Sequence, residues 1–242
     1  NLPPSRAGGE QEGGSHAVAR RAPSNRAGEL RRDLGSGARA QDGPRNRGDD
    51  FDAETRRSID RALGWLASHQ NANGSWTNRV GYKLYDDYYG EEGDSVDVTA
   101  IACMAFVGAG NVPRRGKYGA VVEKAVDFVL SCVREEDGYI TKNGSHMYSH
   151  AFATLFLAEI YGMTRRPDIK SKLKQAVNLI VNAQNTEGGW RYQPIPVDAD
   201  LSVTVSTLQA LRASRNVGVS VPIDTIEKAQ KYVKRCATRY GF

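Results

Sequence analysis

The sequence predicts an all-α fold of stacked helical hairpins, and three observations carry that prediction. One segment recurs four times, two kinds of helix alternate, and turn residues fall between them. The recurring segments are Ala62-Leu-Gly-Trp-Leu, Ala125-Val-Asp-Phe-Val, Ala176-Val-Asn-Leu-Ile and Ala229-Gln-Lys-Tyr-Val, at intervals of roughly 50 to 60 residues. Each lies in a run with apolar residues at i, i+3, i+4 and i+7, such as Ala176, Leu179, Ile180 and Ala183, which a helix gathers on one face.

Before the first repeat, Asn1 to about Asp50 is dominated by Gly, Ala, Ser, Pro, Arg and acidic residues. It has almost no aromatic or β-branched side chains to offset the entropy of ordering, so residues 1–51 read as a disordered Gly/Arg-rich arm and residues 52–242 as the folded repeats. The formal net charge is +5, but acidic residues are mixed with the basic ones along arm and body, and no basic stripe emerges. No nucleic-acid partner is expected. No run approaches the ~18 apolar residues of a membrane span, so no transmembrane segment is expected in the body. The chain begins at Asn1 rather than Met, which is compatible with a removed leader and leaves the compartment open. Cys103, Cys132 and Cys236 are scattered in apolar helical patterns and read as small core residues.

Between the amphipathic segments lie helices of a second kind, Val98 to Val107, His150 to Ile160 and Val203 to Leu211, apolar around nearly their whole circumference. Such helices must be buried on all sides. Amphipathic outer helices alternating with buried inner ones, hairpin on hairpin, are the simplest arrangement. Asp94 or Asp97, Ser149, and Asp200 or Ser202 stand where inner helices need capping oxygens. Pro167 and Pro222 fit first turns of outer helices. No segment of the body calls for a sheet. The stretch from Gly81 to Gly93, which crowds tyrosines with Asp86 and Asp87, reads as an ordered rim loop.

Two outer helices end in matched turns, Gln70-Asn-Ala-Asn-Gly74-Ser-Trp76 and Gln184-Asn-Thr-Glu-Gly188-Gly-Trp190. The glycine permits a left-handed helix ending, the amide can bond free backbone groups, and the indole covers the junction. Gln, three residues, Gly, one residue, Trp resembles the QW motif of the squalene/terpenoid cyclase and protein prenyltransferase repeat family, over residues 54 to 242. A third turn, Glu136-Asp137-Gly138-Tyr139-Ile140, keeps only the glycine, and a fourth begins near Thr238 and stops within the motif. The resemblance implies an α/α toroid around an apolar cavity, of which this chain supplies about three and a half hairpins. It implies a truncated C-terminus, or self-association that completes the ring.

For chemistry, the resemblance directs attention to an Asp-x-Asp-Asp acid. Asp198-Ala-Asp200-Leu201 matches two of its positions, and Leu201 stands at the third. Asp198 and Asp200 are therefore the candidate catalytic pair, with a helix cap as the competing role of Asp200. Asp97, His150, Phe152, Phe156, Ser202 and Thr204, at or within inner helices, are the candidate substrate-binding residues. The Asp-x-Cys pair of the zinc-dependent relatives does not occur, and no Asp stands a helical turn from Asp86-Asp87 to hold magnesium, so no zinc or magnesium is expected. The implied ligand is an isoprenoid or another apolar small molecule, and the competing function is a non-catalytic scaffold that binds a protein or glycan.

Overall fold

Helical periodicity becomes seven helices among the described residues. The structure, a computed structural model, describes residues 51–84, 87–238 and 241, and no side chain between 80 and 91. The arm assigned to residues 1–51 lies outside it, apart from Phe51. The order is α1 (Ala53–Ser68), β1 (Trp76–Leu84), β2 (Asp87–Ser95), α2 (Val96–Gly108), α3 (Gly119–Ser131), α4 (Met147–Thr164), α5 (Pro167–Asn182), α6 (Leu201–Asn216) and α7 (Ile223–Cys236).

The apolar helices α2, α4 and α6 pack side by side, α2 against α4 and α4 against α6. The amphipathic helices cover them: α3 lies on α2, α5 on α4 and α6, α7 on α6, and α1 on α2. Phe106, Phe156, Leu157, Ile160, Leu173, Ile180 and Leu211 are all fully buried in this double layer. Burying one such side chain stabilises by roughly 1.5–3 kcal/mol, which makes the seam between layers the main stabilising element. Helix α1 is the exception, with Leu63 its single buried residue. Cys103 and Cys132 are buried thiols, as their apolar surroundings in sequence suggested, and burial pushes the Cys103 thiol up to about 12. Among the described residues no helix is long and apolar enough to cross a membrane.

The expected rim loop is instead an antiparallel hairpin of β1 and β2, in register from Trp76 opposite Ser95 to Leu84 opposite Asp87. Tyr82 lies opposite Tyr89 and Lys83 opposite Tyr88 in that register, and the valine, tyrosines and leucine of the two segments are residues that favour strands. The glycines and carboxylates between them hid the alternation. The tyrosines of this stretch lie outside the described side chains.

Helix starts also differ in detail. Ser95, rather than Asp94 or Asp97, caps α2 by accepting from Val98 N–H. Asp200 caps α6, accepting from Ser202 N–H at 2.9 Å and Val203 N–H at 3.1 Å. Helix α4 starts after His146 with no side-chain cap, so Ser149 is an interior residue. Pro167 opens α5 as expected, whereas Pro222 stands one position outside α7.

The two matched turns are congruent atom by atom. Gln70 Nε2 donates to Gly74 O at 3.0 Å and to Val121 O at 2.9 Å, and Gln184 Nε2 donates to Gly188 O and Thr225 O at the same distances. Each amide thus ties its own turn to the first turn of the next amphipathic helix. The indole N–H groups close the ends of the preceding helices, Trp76 onto Leu66 O at 2.9 Å and Trp190 onto Ile180 O at 2.7 Å. Their backbone N–H groups donate to Thr99 Oγ1 at 3.0 Å and Thr204 Oγ1 at 3.1 Å on the apolar helices. Gly74, Gly138 and Gly188 have φ of 91°, 78° and 97°, and an added Cβ would fall on the backbone of Lys124, Gln175 and Lys228 respectively.

Candidate functional site

The first residue outside each apolar helix sets a common register: Ser95, His146 and Asp200. Four residues on from these stand Thr99, His150 and Thr204, each accepting a backbone N–H from its turn, which fixes the alignment of all three helices. Two residues on from the cap stand Asp97, Tyr148 and Ser202; six residues on stand Ile101, Phe152 and Ser206; nine residues on stand Met104, Leu155 and Gln209. Every one of these nine is at least partly accessible, although the helices that carry them are otherwise mostly buried. Spacing of four and three residues places them in one stripe per helix, on the side the amphipathic helices leave uncovered. The face has a polar edge at the helix starts; beyond it the stripe is apolar on α2 and α4, where Ile101 is 50% exposed, and stays polar on α6 through Ser206 and Gln209.

Hydrogen bonds knit the polar edge together. Tyr148 Oη and Ser202 Oγ share a short hydrogen bond between α4 and α6, and Ser202 Oγ donates to Asp200 Oδ1 at 2.5 Å. Ser95 Oγ donates to Asp97 Oδ1. Met147 N–H donates to Tyr192 O at 2.8 Å, and the Gln193 amide meets His146 Nδ1 at 3.1 Å, so the 191–199 segment is held over the start of α4. Asn143 Nδ2 donates to Asp94 O at 3.1 Å and ties the 141–146 segment to the base of the hairpin.

The candidate residues divide between this face and the interior. Asp97, Phe152 and Ser202 share the accessible stripe. His150, Phe156 and Thr204 are fully buried. His150 Nδ1 accepts Ile140 N–H at 3.0 Å, so its Nε2 carries the proton and donates to Ala176 O at 3.1 Å. Burial lowers its pKa to about 4, which keeps the ring neutral at physiological pH. Both ring nitrogens are engaged in holding the second turn.

Asp198 and Asp200 have separate partners. Asp198 is exposed and pairs with Arg191 at 3.0 Å. Asp200 spends Oδ1 on its capping bonds, and the Ser202 hydroxyl beside it, with the two backbone N–H groups, holds its carboxyl below the usual carboxylate range. A carboxylate stabilised in that way is a poor proton donor at neutral pH. Among the described residues no three His, Cys, Asp or Glu side chains come together as a metal would require.

Tyr148 and Ile101 belong to the face and escaped the sequence reading, as did Tyr192, whose ring stands 6.2 Å from that of Tyr148. Counting from the caps would have found Tyr148 and Ile101, because they occupy the positions of Asp97 and Phe152. Away from this face, a polar cleft of about 510 Å³ lies between the second turn and α5, with Glu136, Gln175, Asn178 and Asn182 on its walls. Compared with models of protein families and with curated proteins, the sequence matched none of either.

Proposed function

We propose that residues 52–242 are part of an α/α toroid of the squalene-cyclase and prenyltransferase repeat type, and that the accessible stripe of α2, α4 and α6 holds an isoprenoid or similarly apolar molecule. One observation carries this reading: two Gln-x3-Gly-x-Trp turns, 114 residues apart in sequence, make the same set of hydrogen bonds to the same structural neighbours. That congruence is what a toroid of repeats requires, and it points the stripes of successive helices to one side. Ile101, Phe152, Met104 and Leu155 offer the apolar wall, and Asp97, Tyr148 and Ser202 the polar edge where a ligand's hydrogen-bonding end is oriented.

The role is binding rather than proton-initiated cyclisation, because Asp200 is committed to its cap. The test is binding and turnover across a panel of squalene-like and polyprenyl compounds. Phe152→Asp, on the stripe, is expected to abolish binding, and Asp200→Asn, which preserves a cap, to leave it intact. Loss of turnover in Asp200→Asn would restore the catalytic reading. No binding by the unmodified chain to any member of the panel would remove the proposal.

A second reading, a non-catalytic scaffold for a glycan, rests on the polar cleft beside α5. Its amides and carboxylate are suited to sugar hydroxyls, and Asn178→Leu is the variant that would separate it from the first.

A further inference from the structure

Residues 142–145 form a tight turn closed by Ser145 N–H donating to Lys142 O at 3.0 Å, with Asn143 at φ 51° and Gly144 at φ 73° in its centre. Successive positive φ angles are the type I′ geometry that Asn-Gly favours. The chain holds a second Asn-Gly pair, Asn73-Gly74, in the first matched turn. We infer that Asn143 is a site of spontaneous deamidation that unties the rim, while Asn73 is protected. In the reaction the Gly144 amide nitrogen bonds to Asn143 Cγ and loses its proton. Ammonia leaves with the side-chain nitrogen, and water then opens the cyclic imide to aspartate or isoaspartate, with no change of oxidation state.

The two pairs differ at both reacting atoms. Among the described residues the Gly144 N–H has no acceptor, and nothing lies within 4 Å of the place a Cβ would take. Asn143 is exposed and, among the described residues, is held by one hydrogen bond, from its Nδ2, which leaves Cγ and Oδ1 open to attack and protonation there. In the other pair the Gly74 N–H is bound to Asn71 O at 2.9 Å, with Gly74 itself pressed against the backbone of Lys124. Asn73 Oδ1 accepts from Ser75 N–H at 3.0 Å and Ser75 Oγ at 2.8 Å, and its Nδ2 donates to Asp94 Oδ2 at 2.8 Å. Nucleophile and electrophile are both fixed there, and imide closure requires both to move.

The consequence follows from donor chemistry. Asn143 Nδ2 rests against Gly93 and donates to Asp94 O. A carboxylate in its place has no proton to give and meets a carbonyl oxygen, close to the Asp94 carboxylate, which the Ser75 hydroxyl keeps ionised. Conversion at Asn143 therefore replaces an attraction by a repulsion and frees the base of the hairpin from the 141–146 segment.

The experiment incubates the full chain in mildly alkaline buffer and follows both Asn-Gly peptides by mass spectrometry. Conversion at Asn143 is expected several-fold faster than at Asn73; equal rates, or a faster Asn73, would overturn the inference. In Gly144→Ala the added methyl group shields the nucleophile, and conversion at Asn143 should slow several-fold, an unchanged rate refuting the assigned step. Asn143→Asp should increase proteolytic cleavage within residues 76–95 several-fold over the parent chain. Unaltered cleavage would refute the tether.

Discussion

The second turn of the molecule does the work of the first and third with different residues. In the first and third, a glutamine amide reaches the next amphipathic helix, an indole closes the previous one, and a threonine hydroxyl receives the turn's backbone. In the second, Arg134 replaces the glutamine and pairs locally with Asp137, Ile140 replaces the tryptophan, and His150 replaces the threonine. The histidine takes over the long-range link, because its two nitrogens span from Ile140 N to Ala176 O. The requirement is thus a bridge between a turn, an apolar helix and the next amphipathic helix. Either a Gln–Trp–Thr set or a single buried imidazole supplies it. What all three turns keep is the glycine, since the backbone of the next helix occupies the space of its side chain.

Three sets of variants sharpen or break this comparison. The largest effect is expected from Gly138→Ala and Gly188→Ala, each losing about 3–5 kcal/mol from a positive φ and a backbone clash together. Gly241 has φ 109° with nothing within 4 Å of its Cβ site, so Gly241→Ala should cost only about 1 kcal/mol. Chemical denaturation reads all three, and a mild Gly138→Ala would show that the second turn is a different kind of junction.

His150→Thr, which installs the residue of the other two repeats, is the next test. The ring is neutral when folded, with a pKa lowered from 6.5 to about 4, so an unfolded chain binds more protons in that interval. Stability from this group is present above pH 6.5 and drains away as pH falls toward 4, by about 3 kcal/mol in all. Acid titration of the unfolding free energy should show that slope in the parent chain and lose it in His150→Thr. The smallest effect separates Gln184 from Arg134. Gln184→Met leaves two carbonyls without their donor and should cost about 1–3 kcal/mol. Arg134→Met breaks a partly exposed ion pair and should cost at most about 0.5 kcal/mol in a thermal melt.

The helical architecture was legible because burial on one side or all sides writes a period of 3.6 into the sequence, and the matched turns were legible because Gln, Gly and Trp recur at fixed spacing. The hairpin was not, since Tyr88 and Tyr89 are adjacent and Gly81 and Gly93 dilute the strand signal. His150 stands in the sequence as a candidate ligand contact and in the structure as a buried bridge, a difference residue type does not reveal, because it does not say which side of an all-apolar helix a polar group occupies. The answer lay in Ile140 and Ala176, ten and twenty-six residues away. For Asp200 the sequence offers an acid or a cap, and the capping role becomes visible only in the positions of the Ser202 and Val203 amides.

The shallow seating of α1 sets the order in which the molecule comes apart. Trp65 is 60% exposed, whereas its counterparts Phe128, Leu179 and Tyr232 in the other three amphipathic helices are 5–8% exposed. With so little apolar area holding it, α1 peels away in openings much smaller than global unfolding. Its backbone amides exchange with solvent early, and those of α4, clasped on both flanks, exchange last.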